Sequence, residues 1–464
     1  MTPPSRGLGR GTALGVVATG LDRVAALGIA LWLPRHLGLD DYGRYTLVIT
    51  LLAFCQTLPD ASLESVLVAR IAREGRGGAE LAGAAVPVRA TMSLAFGIAG
   101  LTAIGLATGD ARLAVAGAPW AAGLWLVASN PYRALLRGQF RLGRYLGVVA
   151  VQSVAMIGAL AIVVRSDAGL TGVLATGAAG GAAAFVSGWL LGGTGARPRL
   201  DPDVARTLVI AAAPLAATGF VVVGAQQVVQ VLLLRIHGPA ALGLLGGAGR
   251  FVDAVTLLPQ AVVVGLLPVL ARIAGTPSTT YAAREAARVL ALLLAPAAAA
   301  LAMWAAPALT TLLGPTFAAA APVLRVLAAV GLLAGSGQVL TALLVAEGRE
   351  RLLLGATGVS ALLTVALGAA LVPPFGPVGA AAAAALGMLG GQLVLVVLPG
   401  ARMAALAVLH AMGRPLVLAA GAAGLALASR QDVPLGPAVL AVSYAVAVVV
   451  TRTVTWRDVA RWTG

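Results

Sequence analysis

Residues 33–45 read Leu-Pro-Arg-His-Leu-Gly-Leu-Asp-Asp-Tyr-Gly-Arg-Tyr, a short polar segment between two long apolar stretches. Three positions in and after this segment recur at the same offset of 200 residues: Gly38 with Gly238, Gly43 with Gly243, and Pro59 with Pro259. Membrane transporters are often built from two copies of one helical bundle, and such copies leave weak matches of this kind. The segment therefore predicts an internal repeat.

The apolar stretches on either side of this segment continue through the whole chain. Of the 464 residues, 59% are hydrophobic and only 11% are charged, whereas a soluble domain carries about 25% charged residues. A membrane span needs about 20 mostly apolar residues. By this criterion the sequence predicts fourteen spans, centred near Val24, Phe54, Gly97, Leu124, Met156, Ala179, Val221, Leu257, Ala298, Gly331, Leu363, Leu386, Ala420 and Ala445.

Arginine distribution gives the orientation of these spans. The chain has 32 basic residues, and all of them are arginine. The two termini and the even-numbered gaps between spans hold 23 arginines, whereas the odd-numbered gaps hold six: Arg35, Arg44, Arg112, Arg165, Arg235 and Arg430. Because cytoplasmic loops carry the excess of arginine, both termini are predicted to be cytoplasmic.

A second repeated stretch supports the division into lobes. Gly169-Leu170-Thr171-Gly172 precedes the sixth predicted span, and Gly376-Pro377-Val378-Gly379 precedes the twelfth. The predicted fold is therefore an all-α integral membrane protein with two six-helix lobes in a pseudo-twofold repeat. Residues 1–195 form the first lobe, residues 196–400 the second, and residues 401–464 the last two spans and a cytoplasmic tail.

Several kinds of chemistry are excluded by composition. The chain contains no lysine, so it cannot carry the phosphate-binding loop that ends in Gly-Lys-Ser/Thr. Its one cysteine and three scattered histidines have no zinc-ligand spacing. No Gly-x-Ser-x-Gly turn for a nucleophilic serine is present. We expect a transporter and not an enzyme, with no catalytic residue, metal or cofactor.

The opening segment resembles the first-loop signature of bacterial polysaccharide flippases, an LGxxxYGxY pattern that starts at Leu37. Residues 313–317, 321–324 and 374–381 are similar to later loops of the same proteins. The resemblance implies the multidrug/oligosaccharidyl-lipid/polysaccharide exporter superfamily. It also implies two lobes that rock about a central cavity and flip an undecaprenyl-pyrophosphate-linked glycan across the bacterial inner membrane.

One departure from these relatives concerns the seventh span. Relatives often have an acidic residue there, but this chain has Gln226, Gln227 and Gln230. Coupling to H⁺ or Na⁺ at that position is therefore in doubt, and the coupling ion stays open. Together with Gln260, these glutamines can either hydrogen-bond sugar hydroxyls or link neighbouring helices.

Charged residues inside spans are the candidate site. Only Arg23, Arg250 and Arg325 are predicted to lie within spans among the arginines, and a charge at a helix centre costs about 2.5–3.5 kcal/mol on insertion scales. If the lobes pack as in the family, Arg23 and Arg250 face each other across a cleft. Two guanidiniums there can bind a pyrophosphate bidentately.

The acidic residues Asp22, Asp253 and Glu64 are candidate cavity partners for these arginines. Arg250 and Asp253 are three residues apart and can pair on one helix face. The competing interpretation is that these charges form salt bridges that only lock the bundle. Glu64 and Asp60 can also line the cavity or respond to protons, or Asp60 can bond backbone groups freed by Pro59.

The sequence therefore predicts a flippase for undecaprenyl-pyrophosphate-linked oligosaccharide that works by alternating access. Three alternatives stay open. A lipid II flippase of peptidoglycan synthesis would differ only in the head group bound, and a multidrug exporter of the same superfamily would bind cations, which two cavity arginines oppose. A non-transporting scaffold for a glycan polymerase would need neither arginine for activity. A polymerase is also a candidate partner of the flippase.

Overall fold

The computed structural model of the protein describes residues 32–57, 62–74, 78–192, 197–428 and 441–446, together with residues 29 and 448. Throughout these ranges the backbone forms helices joined by short turns, with no strand. By its contacts the chain divides into two compact units, Met1–Gly243 and Leu244–Gly464. The lobe boundaries predicted from the sequence stay a prediction.

The first unit contains seven complete helices and part of an eighth. They are α1 (Pro34–Cys55), α2 (Leu63–Glu74), α3 (Gly78–Thr108), α4 (Ala111–Ala128), α5 (Pro131–Gly138), α6 (Leu142–Arg165) and α7 (Gly169–Gly192), followed by the beginning of α8 (Pro202–Arg272). Polar caps fix several of the starts. Asp110 accepts a hydrogen bond from the backbone of Arg112, and Asp201 accepts one from Val204, as helix N-caps do.

The second unit contains the end of α8 and five further helices. They are α9 (Pro277–Met303), α10 (Ala305–Leu313), α11 (Ala321–Ala346), α12 (Glu350–Val397) and α13 (Arg402–Ala428), with a 3₁₀ turn at Pro315–Ala320. Residues 441–446 are also helical. In the core, leucines of α9 and α11, among them Leu290, Leu294, Leu340 and Leu343, pack with α12 and α13.

Nine helical segments of the described part are long and apolar enough to cross a membrane. Two of the helices that hold them are far longer than one crossing needs: α8 has 71 residues and α12 has 48, against about 20 for a bilayer. Each of these two includes the centres of two predicted spans. The chain is a multi-pass membrane protein, and the count of fourteen spans stays a prediction.

The backbone breaks in the long helices fall on glycines that the repeat matched. Gly38 interrupts α1 with φ 71° and ψ 177°, and Gly238 interrupts α8 with φ 79° and ψ 179°. In the second matched stretch, Gly169 and Gly376 have φ values of 56° and 54°. Positive φ is a conformation that glycine adopts at little cost. These matching positive φ values support the internal repeat.

The cores of the first unit explain how α2 and α5 are held. Leu63, Leu67 and Ile71 of α2 are buried against residues of α3, α5 and the beginning of α8, and Leu135 of α5 belongs to the same cluster. Elsewhere in this unit α4 packs against α3 and α7. The short helix α5 is therefore part of the core, although it is too short to span a membrane.

Candidate functional site

Arg250 lies on the part of α8 that belongs to the second unit. Its Nη1 atom is 3.4 Å from Oδ2 of Asp253, three residues further along the helix. The Arg250 side chain is 21% exposed and the Asp253 side chain 67%. An ion pair this long and this exposed is weak.

Three acidic or basic residues singled out in the sequence lie outside the described residues. These are Asp22, Arg23 and Asp60. The predicted pairing of Arg23 with Arg250 on one pyrophosphate therefore stays a prediction. The same holds for Asp22 as a partner of either arginine.

The four glutamines have two different environments. Gln226 and Gln260 are exposed on α8. Gln227 is buried, and within the described ranges its Oε1 accepts no hydrogen bond. Gln230 is half-buried and accepts a hydrogen bond from the Thr50 hydroxyl of α1, at 3.1 Å. Gln230 therefore links two helices, which is the structural role that the sequence left open.

Glu64 lies in a buried cluster of charges at the beginning of α2. Its Oε2 is 3.2 Å from Nη2 of Arg89 on α3, and its Oε1 is 2.9 Å from Nη1 of Arg137 on α5. Arg133, one turn before Arg137, also interacts electrostatically with this carboxylate. Three guanidinium charges of α3 and α5 thus surround one carboxylate of α2, and the side chain of Glu64 is only 7% exposed.

Arg89 belongs to the first half of α3. Arg89 was predicted to lie in a gap between spans, so that only three arginines remained within spans. In the structure it lies inside α3 and is 2% exposed. This helix has 31 residues, more than the about 20 that a bilayer needs, so the place of Arg89 outside the spans stays a prediction.

This cluster was missed because its members are far apart along the chain. Glu64 is 25 residues from Arg89 and 73 residues from Arg137. Spacing within one helix cannot detect such a contact. A usable signal was the isolated arginine in the apolar stretch that follows Gly78, since a charge at such a place needs a partner.

Arg325, the third arginine predicted within a span, lies near the start of α11. It is exposed, and its Nε donates a hydrogen bond to the carbonyl oxygen of Ala302 at 3.3 Å. The backbone carbonyl therefore accounts for one of its five donors. Arg325 lies away from Arg250 along the chain and has no acidic neighbour of the kind that Asp253 provides to Arg250 on its own helix.

Both the sequence and the fold of the chain are similar to those of known proteins. The sequence profile of a family described as "Polysaccharide biosynthesis protein" matches residues 32–322, which is more than half of the chain. No curated protein matches the chain in sequence.

Solved structures match over nearly the whole chain. A structure titled "Lipid II flippase MurJ, inward closed conformation" has a TM-score of 0.75 at 13% identity and covers 97% of this chain and 100% of its own. An inward-facing multidrug resistance MATE family transporter of the MOP superfamily has a TM-score of 0.64 at 15% identity, with 84% and 96% covered. A MOP superfamily transporter from Pyrococcus furiosus has a TM-score of 0.54 at 18% identity, with 87% and 95% covered. These likenesses show a shared fold.

Proposed function

The chain belongs to the polysaccharide biosynthesis protein family, and on that premise we propose that it flips an undecaprenyl-pyrophosphate-linked oligosaccharide from the inner to the outer leaflet. The family match over residues 32–322 is the observation that carries this proposal. It confirms the resemblance found in the sequence and points to glycan assembly. A fold shared with MOP transporters over nearly the full length supplies the machinery for movement across a bilayer.

The proposed mechanism is alternating access without covalent chemistry. Fourteen spans in two repeated lobes, with both termini in the cytoplasm, belong to this proposal, and the equal conformations of Gly38 and Gly238 support it. The bacterial inner membrane is the proposed location. A glycan polymerase is a proposed partner, because the flipped glycan is its substrate class.

Arg250 is proposed to bind the pyrophosphate. A guanidinium presents a planar fork of donors that matches two phosphate oxygens, and its present contact with Asp253 is long and half-solvated. On substrate binding the phosphate replaces the carboxylate as acceptor. Arg23 is proposed as the second arginine, with Asp22 as its charge partner. The exposed amides of Gln226 and Gln260 are proposed to contact sugar hydroxyls.

Transport of a fluorescent undecaprenyl-pyrophosphate glycan in proteoliposomes tests this function. The intact protein is expected to move the lipid between leaflets, and Arg250→Ala is expected to reduce the rate by about tenfold or more, because charge-assisted hydrogen bonds are each worth about 1.5–3 kcal/mol. Arg325→Ala is the matched control, since it removes an exposed arginine from another helix. It should leave the rate unchanged.

The same assay separates the competing functions. Faster movement of lipid II than of the glycan lipid would favour the peptidoglycan flippase, whose fold this chain shares. Movement of a cationic dye and not of either lipid would favour a multidrug exporter. If neither lipid nor dye moves while a known flippase works in parallel, the scaffold function gains support and the proposed function is rejected.

A further inference from the structure

Gly43 and Gly243, which the repeat relates, pack against each other's helices. A Cβ atom built on Gly43 would lie 1.9 Å from the carbonyl oxygen of Pro239, and one built on Gly243 would lie 2.4 Å from the carbonyl oxygen of Leu39. Real side chains do not approach backbone this closely, so only glycine fits at either position. All four residues belong to the first unit.

The contact is reciprocal when residues are matched by the repeat's offset of 200. Gly43 contacts Pro239, which is the repeat equivalent of Leu39. Gly243 contacts Leu39 itself. A contact in which residue i meets j while the equivalent of j meets the equivalent of i is the pattern of a twofold axis. The beginnings of two equivalent helix segments therefore meet on a local pseudo-twofold axis.

Each of these helix beginnings directly follows a break in the backbone. Gly38 precedes the first and Gly238 precedes the second, both with positive φ. Nothing lies within 4 Å of a Cβ built on either glycine. Hinges are the few residues that absorb φ/ψ changes, and an unobstructed glycine is suited to that role. Both partners of the contact are thus next to a place where the backbone can swing.

The chemistry of the contact allows it to separate. Glycine Cα atoms meet backbone carbonyl oxygens, and Cα–H···O contacts are individually weak. Seven residues after Gly43, the Thr50 hydroxyl reaches Gln230 at 3.1 Å, and the Phe54 ring meets the Phe220 ring edge-on at 5.0 Å between centroids. The contact of Gly43 with Gly243 therefore covers the end of a polar and aromatic helix interface.

We infer that Gly43 and Gly243 form a reversible clasp, defined by residues 39–43 and 239–243. The clasp closes the end of the transporter that the arginine distribution assigns to the outer side, and it parts when the site opens there. This inference rests on the proposed function, because transport requires the outer end to open. It assigns a mechanical role to two residues that bind no substrate.

A single reporter cysteine tests the clasp. In a Cys55→Ala background, which removes the one native cysteine, Thr50→Cys places a thiol beneath the clasp. The rate of modification by a membrane-impermeant maleimide is measured from the outer side, in intact spheroplasts, and from the inner side, in inverted vesicles. Adding Gly243→Ala is expected to raise the outer rate about fivefold or more, because overpacking of this kind shifts an equilibrium by that factor.

A matched contact elsewhere in the first unit separates a clasp from ordinary packing. A Cβ on Gly181 of α7 would lie 2.4 Å from the carbonyl oxygen of Gly123 of α4, which is the approach found at Gly243. Gly181→Ala should lower the melting temperature without changing the labelling of residue 50. Gly158→Ala, where nothing lies within 4 Å of the new Cβ, should change neither quantity.

An unchanged outer rate in a folded Gly243→Ala protein, or a rise only from the inner side, overturns the clasp. Size-exclusion profiles and melting temperatures establish folding. If the glycine variants do not fold, amide hydrogen exchange is measured on the unsubstituted protein instead. The amides after Gly43 and Gly243 should then exchange together and faster than those around Gly123 and Gly181, and equal protection at both contacts overturns the inference.

These measurements need no transported substrate. If the glycan lipid is not moved but the labelling results hold, the proposed cargo fails and the clasp stands. If the glycan lipid is moved but the labelling is unchanged, the proposed function stands and the clasp fails. The two failures are therefore distinguishable.

Discussion

At the scale of single residues, the Glu64 carboxylate determines how charge is held in the interior of the first unit. It contacts the guanidiniums of Arg89 and Arg137, and both Glu64 and Arg89 are nearly inaccessible to solvent. Removing one partner of a buried ion pair is far more damaging than removing an exposed pair, because the remaining charge stays in a low-dielectric environment. The glutamate therefore links α2 to α3 and α5 through its ion pairs.

Glu64→Gln is expected to destabilise the protein by about 3–5 kcal/mol. The amide keeps the shape of the side chain but loses the negative charge that faces Arg89. The free energy of unfolding is measured by denaturant titration in detergent. Asp41→Asn is the matched control, since Asp41 pairs with Arg44 at the same distance of 3.2 Å but both side chains are exposed; its cost should be about 0–1 kcal/mol.

A double variant decides whether charge compensation is the cause. Glu64→Gln combined with Arg89→Gln should be less destabilised than the sum of the two single variants, because the pair is then removed as a unit. Additive losses would contradict this account of the cluster. They would mean that each side chain is held mainly by contacts other than their mutual ion pair.

At the scale of elements, Asn130 fixes the short helix α5 at its start. Its Oδ1 accepts a hydrogen bond from the backbone N–H of Tyr132 at 2.9 Å, and its Nδ2 donates to the carbonyl oxygen of Ala184 in α7 at 2.8 Å. One buried side chain thus caps α5 and joins it to another helix. The adjacent Pro131 suits the first position of the helix, where an N–H has no partner.

Asn130→Ala is expected to cost more than the loss of an ordinary helix cap. Cap removal alone costs about 1 kcal/mol, and loss of the buried hydrogen bond between α5 and α7 adds about 0.5–1.5 kcal/mol. Asp110→Ala is the matched control because Asp110 caps α4 at an exposed site. Equal melting temperatures for the two variants would show that the contact with Ala184 contributes nothing.

Sequence patterns predicted the elements better than their partners. Gly38 was matched with Gly238 by a shared offset, and Gly169 with Gly376 by their place before the sixth and twelfth predicted spans. Each pair has closely similar positive φ in the structure. This was predictable because a backbone break requires glycine locally. The ion pairs of Glu64 were not predictable, because they depend on which helices become neighbours. The close contact of Gly43 with Gly243 was not predictable either, since the many glycines of the chain make any one of them uninformative.

At the scale of the whole molecule, the number of crossings within α8 determines the topology. The helix has 71 residues and breaks at Gly238, so it is long enough for two crossings at about 20 residues each. The sequence predicts two crossings, with the arginine-rich gaps on the cytoplasmic side. If α8 crossed once and continued along the surface, every later loop would lie on the opposite side from the one predicted.

Two serine-to-cysteine variants test this in a Cys55→Ala background. Ser166 lies in the exposed turn between α6 and α7, and Ser278 is exposed at the start of α9. Three crossings are predicted between them, so an impermeant maleimide should modify Ser166→Cys in intact spheroplasts and Ser278→Cys only in inverted vesicles. If both thiols react from the same side, α8 crosses once and the repeat of two lobes is wrong. If each reacts from the side opposite to its prediction, the crossings are right and the orientation read from the arginines is reversed. The expected pattern would place residues 39–43 and 239–243 at the outer face, which is where the clasp must lie to control release of a flipped lipid.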